Sequence, residues 1–201
     1  MLMSPSNYNW SCENFTWVFE AIENSPILIT VPHDRGFSPY DLFGFFEPRE
    51  KGVKGHDDHV WPIVRDILLK TRVDAVRGLF PRHFIDYNRS PEGINYYPLT
   101  QKETETALDD PRLRRFYDHY HRTITRILKK NIKTFGRRKC LLLDFHGFAR
   151  QPSYGEYDLI LGTGNRTTVK SNVDRALAEF FVSRNYQIFL PGEVAVGPLE
   201  D

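Results

Sequence analysis

Apolar residues along the chain fall alternately into short runs and longer helical stripes, and that alternation predicts an α/β protein. Phe15 to Phe19 and Ile27 to Val31 are rich in β-branched and aromatic residues and are separated by the turn-forming ENSP, so they read as an opening hairpin. After a loop rich in Gly, Pro and Phe, the residues Val60, Ile63, Val64, Ile67 and Leu68 recur at helical spacing. They predict a helix beginning near Asp57, with Pro62 tolerated close to its start. Ala75 to Phe80 and His83 to Tyr87 are strand candidates. A long helix is predicted from about Pro111 to Lys133, where Leu113, Phe116, Tyr117, Tyr120, Ile124, Ile127 and Leu128 form one stripe. Cys140 to Phe145 is an apolar run of the kind found in the middle of a sheet, interrupted by Asp144. Val173 to Ser183 reads as a further amphipathic helix and Gln187 to Leu190 as a short strand. The expected architecture is a mixed, mostly parallel sheet flanked by helices, in a single α/β domain over residues 1–201.

Composition narrows the function. Lys and Arg total 27 against 26 Asp and Glu, a net charge of +1, so nothing global points to nucleic acid or a membrane surface. The basic residues of the long helix read as its solvated face. MLMSPSNYNW lacks a basic region followed by an apolar run, and the expected location is cytoplasmic. With Cys12 and Cys140 as its two cysteines, the chain has neither a disulfide framework nor a zinc ribbon. A metal site must then use His and carboxylate.

Two histidines follow predicted strands: His33 after ILITV and His146 after CLLLDF. Side chains at strand ends in α/β proteins face the cleft that the next loop opens, so this pair could meet on one ion. The accompanying carboxylate is open among Asp34, Asp57, Asp58 and Asp144, and Asp57 or Asp58 is favoured because a helix start can be aimed rigidly. His56 and His59 flank that pair. The segment PRHFIDYNRS is the richest local cluster, with Arg82, His83, Asp86, Asn88 and Arg89. An arginine grips a carboxylate in bidentate fashion, an adjacent Asn adds a donor, and Asp86 could orient an arginine. Gly162 and Gly164 in LGTGNRTT lack phosphate-loop spacing and read as a turn. Ser38, Ser90 and Ser153 have no nucleophile-elbow context, which disfavours a serine hydrolase.

In order, VPHDRG, an aspartate opening a helix, RHFIDYNRS, a long helix containing Tyr120 and His121, and LLLDFHGF resemble the N-formylglutamate amidohydrolase family. Its members show a PHSG-like histidine, an aspartate at the start of the next helix, a stretch like RYVVDLNR and a late DAH segment. The D-x-N-R element (Asp86, Asn88, Arg89) and the D-x-H element (Asp144, His146) are the most specific parts. The resemblance implies a fold related to the zinc carboxypeptidases. It also implies one divalent metal, zinc by preference, on His33, Asp57 and His146, with DDHV aligned on the family's DWHV to select Asp57. Asn88 and Arg89 would grip a substrate carboxylate, and Arg82 would lie near the scissile carbonyl. The implied substrate is a small N-acyl amino acid such as N-formylglutamate.

The chain departs from that pattern in three places. HDRG stands where the family has HSG, and Gly147 where it usually has serine. The family's general base is a glutamate on a later strand, whereas this sequence ends at Asp201 with Glu193 as the candidate, beside Glu200 and Asp201. Either a C-terminal portion lies beyond this sequence or the chain is a shortened relative, and weak hydrolysis is expected of it. The alternative is a non-catalytic carboxylate- or metal-binding relative that has lost the base.

Overall fold

The computed structural model describes residues 8–52, 55–92, 106–148, 157–163, 168–169 and 172–190. The chain divides into two compact units, Met1–Gly147 and Phe148–Asp201.

The first unit is built on a five-stranded sheet in the order β1-β2-β4-β3-β5, made by β1 (Tyr8–Glu13), β2 (Thr16–Ala21), β3 (Ile27–Val31), β4 (Asp74–Gly78) and β5 (Leu141–Asp144). β1, β2 and β4 run antiparallel to one another in turn, while β4 and β5 flank β3 in parallel. The sheet is therefore mixed, as expected, though divided evenly between the two kinds of pairing. After a short helix α1 (Pro39–Leu42), the helix α2 (Val60–Lys70) lies in the crossover from β3 to β4. The long α3 (Arg114–Phe135), entered through a 3-10 turn at Pro111–Leu113, lies in the crossover from β4 to β5.

Strand alternation sorts the core into two layers. Leu28 and Val76 point to one face with Phe80, Phe84, Leu113, Phe116, Tyr120 and Ile127, where α3 buries its stripe. Ile29, Val31 and Ala75 point to the other, against Val60, Val64 and Leu68 of α2. Each helix thus covers one face of β3 and β4, and both faces of these strands are dry.

Four expectations from sequence are revised. Phe15 to Phe19 does not form a hairpin with β3, because β4 lies between them. β2 instead turns back on Tyr8–Glu13 through Asn14 and Phe15, both at positive φ (46° and 57°), as a two-residue hairpin requires. Phenylalanine is rare in such a turn, and tertiary contacts hold it there: its carbonyl accepts Leu79 N at 3.0 Å and its ring meets Phe37, Phe80 and Phe116. His83 to Tyr87 is not a strand but a run of turns, since the Pro81 carbonyl accepts both Phe84 N and Ile85 N. The helix after GHDD begins at Val60, one turn later than expected, because His59 adopts a left-handed conformation and Asp57 N bonds the His33 carbonyl. β5 lies at the edge of the described sheet, not in its middle, and Leu142 is correspondingly exposed.

The second unit contains β6 (Leu159–Ile160) parallel to β7 (Ile188–Phe189), with α4 (Val173–Val182) between them in sequence. Gly164, Ser153, Glu193, Glu200 and Asp201 lie outside the described residues.

Asp110 ties the start of α3 to the loop before it. Its buried carboxylate accepts Glu47 N at 3.1 Å, Arg112 N at 2.9 Å and the Arg112 guanidinium. Hydrogen bonding to Arg112 outweighs the opposing effect of burial and holds the Asp110 pKa at about 2. A carboxyl more acidic in the folded state stabilises above its unfolded pKa, and that stabilisation fades as pH falls through the folded value. Asp110→Asn, which keeps a capping oxygen but loses the ion pair to the exposed Arg112, is therefore expected to lower stability by about 0.2–1 kcal/mol at pH 7 in urea denaturation, with the gap to wild type narrowing at pH 3.

Candidate active site

β3 is the switch point of the parallel strands, since the chain leaves it toward β4 on one side and returns as β5 on the other. Loops leaving such neighbouring strands diverge and open a crevice at their C-terminal ends. Thr30 pairs with Asp144 across β3 and β5, so the loops that follow carry His33 and His146 to the same end of the sheet. The ring centroids of the two histidines are 5.0 Å apart. Asp57 enters between them, its backbone fixed by the hydrogen bond from its N to the His33 carbonyl at 2.9 Å.

Asp57 Oδ2 lies 2.8 Å from His146 Nδ1 and 3.7 Å from His33 Nδ1. One donor atom from each of the three residues falls within 4.8 Å of the others. Zinc ligands at bonds of about 2.0–2.1 Å in a tetrahedron stand about 3.3 Å apart, so these separations bracket what an ion needs. Gly147 helps bring the His146 loop close, because a Cβ there would lie 3.3 Å from Asp57 Cα.

The proton positions follow from Asp86. Its buried carboxylate accepts from His33 Nε2 at 2.7 Å, Asn88 N at 3.0 Å, Arg82 Nε at 2.9 Å and an Arg49 guanidinium nitrogen at 3.4 Å. Burial favours the neutral acid, but these partners, His33 first, hold the Asp86 pKa well below the usual carboxylate range. An ionised carboxylate only accepts, so His33 Nε2 carries its proton and Nδ1 presents a lone pair. That Nδ1 is buried and has no hydrogen-bond partner among the described residues. A lone pair kept dry beside a carboxylate and a second imidazole suits a cation, and a carboxylate behind a ligating histidine is the usual support for one.

His146 is flanked by carboxylates on both ring nitrogens: Asp57 at Nδ1 and Asp144 at Nε2, the latter at 3.0 Å. Burial opposes the imidazolium, yet hydrogen bonds to Asp144 and Asp57 outweigh it and raise the His146 pKa to about 9. Burial likewise opposes ionisation of Asp57 and Asp144, and their histidine partners still keep both below the ordinary carboxyl range. Asp57, Asp86 and Asp144 carry three negative charges against the two positive charges of Arg49 and Arg82, and the balance is made by a proton on His146 or by a cation that displaces that proton.

The other sequence candidates separate clearly. Asp34 is buried in an ion pair with Arg77, whose guanidinium lies over the rings of both Trp17 and Trp61, at 4.9 and 4.4 Å from their centroids. Asp58 and His59 are exposed, and His56 is half-buried. Asn88 stands at His146, with Nδ2 2.7 Å from Nε2 and 3.3 Å from Asp144 Oδ2, while Arg89 is half-buried beside it. Arg82 is locked on Asp86, and Glu193 lies outside the described residues. Arg49 was not legible as a site residue: it is 1 % exposed and also bonds the carbonyls of Thr106 and Arg82. Its flanks, EPREKG, look like an exposed loop, and only the tertiary structure brings it to Asp86.

Fold and site together define an α/β protein with a His, Asp, His cluster at the sheet's switch point. The family pattern described as N-formylglutamate amidohydrolase matches residues 25–195, and the chain belongs to that family of hydrolases. Among solved structures, it is similar to an N-formylglutamate amidohydrolase from Ralstonia eutropha JMP134, at 17 % identity and a TM-score of 0.65, covering 89 % of this chain and 76 % of that one. It is also similar to a gene product of Agrobacterium tumefaciens, at 17 % identity and a TM-score of 0.58, covering 87 % of this chain and 71 % of that one. At this identity the likeness establishes the fold. No curated protein matches in sequence. No described helix is long and apolar enough to cross a membrane.

Replacing Asp86 by Asn keeps the shape but lets the amide donate, which destabilises the His33 Nε2–H tautomer. Zinc affinity, measured by competition with a chromophoric chelator, is expected to fall about 10- to 100-fold in Asp86→Asn.

Proposed function

We propose that this protein is a metal-dependent amidohydrolase that removes an N-acyl group, formyl by preference, from a small carboxylate-bearing amino acid such as glutamate. The observation that carries the proposal is the buried His33 Nδ1, which has no hydrogen-bond partner among the described residues and lies 3.7 Å from Asp57 Oδ2 in the cluster with His146. His33, Asp57 and His146 would hold the ion. Zinc, when bound, supplies a Lewis acid that activates water and polarises an amide carbonyl.

The chain's own groups do the rest. Asp86 keeps the His33 lone pair available and holds Arg82 in place, and Arg82 offers its remaining guanidinium protons to the carbonyl oxygen as charge develops there. Asn88 and Arg89 grip the free carboxylate, which places the acyl carbon over the cluster. Water adds to that carbon, the C–N bond breaks, and the nitrogen leaves as an amine after taking a proton. Glu193 is the residue proposed to accept the water's proton and pass it on, a role worth about 100- to 10,000-fold in rate.

Formate release from N-formyl-L-glutamate tests the reading. Activity should disappear on chelation, return with zinc, and be absent in His33→Ala. Hydrolysis unaffected by chelation would refute the metal role, and tight zinc binding without any hydrolysis would identify a binding relative.

Arg89→Ala is expected to raise KM about 10- to 100-fold, as loss of a charge-assisted pair implies, with zinc affinity unchanged. Wild-type protein should also discriminate against the carboxamide analogue of the substrate. Equal KM values for the two would show that Arg89 does not read a carboxylate.

A further inference from the structure

The turn bearing Asn88 and Arg89 is held from two sides. On one, Asp86 accepts Asn88 N through its side chain at 3.0 Å and Arg89 N through its carbonyl at 3.1 Å. On the other lies α3. Tyr117 Oη donates to the Arg89 carbonyl at 2.9 Å, and His121 Nε2 donates to the Tyr87 carbonyl at 3.0 Å. Positions four apart share a helix face, so the two side chains reach the carbonyls on either side of Asn88. Between them the Tyr120 ring lies 4.3 Å from that of Tyr87.

We propose that Tyr117 and His121 are positioning residues for carboxylate recognition, fixing the Tyr87–Arg89 turn so that the Arg89 guanidinium meets the substrate at one place. The inference rests on reading Arg89 as the carboxylate grip. A carbonyl can only accept, so His121 donates through Nε2. Burial lowers the His121 pKa and keeps the ring neutral near pH 7, in keeping with a ring that acts as a fixed donor. Arginine has many rotamers, and a binding group must be held to within about half an ångström, so anchoring its backbone narrows the search considerably. The arrangement gives Tyr117 and His121 of FYDHYH a task at the turn before the site.

The test compares wild type, Tyr117→Phe, His121→Leu, His121→Gln and Arg89→Ala as zinc-loaded proteins. Two quantities are read: KM and kcat for N-formyl-L-glutamate, and the calorimetric Kd for L-glutamate, which needs no turnover. Tyr117→Phe and His121→Leu are expected to raise KM and Kd about 3- to 10-fold, with kcat within twofold and zinc affinity unchanged. His121→Gln, which retains a nitrogen donor, should recover most of the loss. Unchanged KM and Kd in both Tyr117→Phe and His121→Leu, beside raised values in Arg89→Ala, would overturn this inference alone. Normal values in Arg89→Ala as well would overturn the carboxylate reading with it. A matching fall in zinc affinity would show a general loosening of the site and also contradict the proposal.

Discussion

The site depends on one buried carboxylate. Asp86 accepts from His33, Arg82, Arg49 and the backbone of Asn88, and every one of those groups belongs to a different functional or structural part of the molecule. Burying a charge is costly unless it is fully paired, so the carboxylate enforces the convergence of its partners as strongly as they stabilise it. Removing any one partner leaves charge uncompensated in a dry place. This makes the arrangement cooperative, and it explains why a candidate ligand, a candidate carbonyl-binding arginine and the turn before Arg89 share one anchor.

Topology supplies the second constraint. Two parallel strands on either side of β3 require two crossovers, and α2 and α3 cover opposite faces with separate apolar layers. The end of the sheet where those crossovers part company is thereby left for polar groups. His33 leaves β3, His146 leaves β5 two residues after the pairing of Thr30 with Asp144, and Asp57 sits just ahead of α2. Because Asp57 lies before the first helical turn, its carboxylate faces the two imidazoles and does not cap the helix. Electrostatics then favours a cation: His146 between two ionised carboxylates takes up a proton readily, and a divalent ion competes for the same field.

Much of this could be read along the chain. The long stripe from Leu113 to Leu128, the apolar run of β3 and the histidines after β3 and β5 are local patterns, and each corresponds to an element in the structure. Legibility failed where local signals compete with distant ones. HFIDY alternates like a strand, yet Pro81 and the Asp86 side chain capture its backbone in turns. The Asn14–Phe15 turn lacks a glycine signal because an aromatic cluster, remote in sequence, holds Phe15 at positive φ. Arg49 looks like a solvent-facing charge and Asp34 like a candidate ligand beside His33, and the burial of each is set by a partner dozens of residues away. The set of residues at the site was therefore partly visible, whereas the hydrogen bonds that orient them were not.

Asp86 fixes the His33 proton on Nε2 and leaves Nδ1 as a dry lone pair facing Asp57 and His146. Long-range 15N–1H correlation spectra of metal-free protein with 15N-labelled histidine read that tautomer directly. The expected spectrum for His33 shows a protonated Nε2, with its proton shifted downfield by the 2.7 Å bond to Asp86, and an unprotonated Nδ1 that shifts on zinc addition. A His33 ring protonated at Nδ1, or one whose Nδ1 is unmoved by saturating zinc, would show that Asp86 does not prepare His33 as a metal ligand.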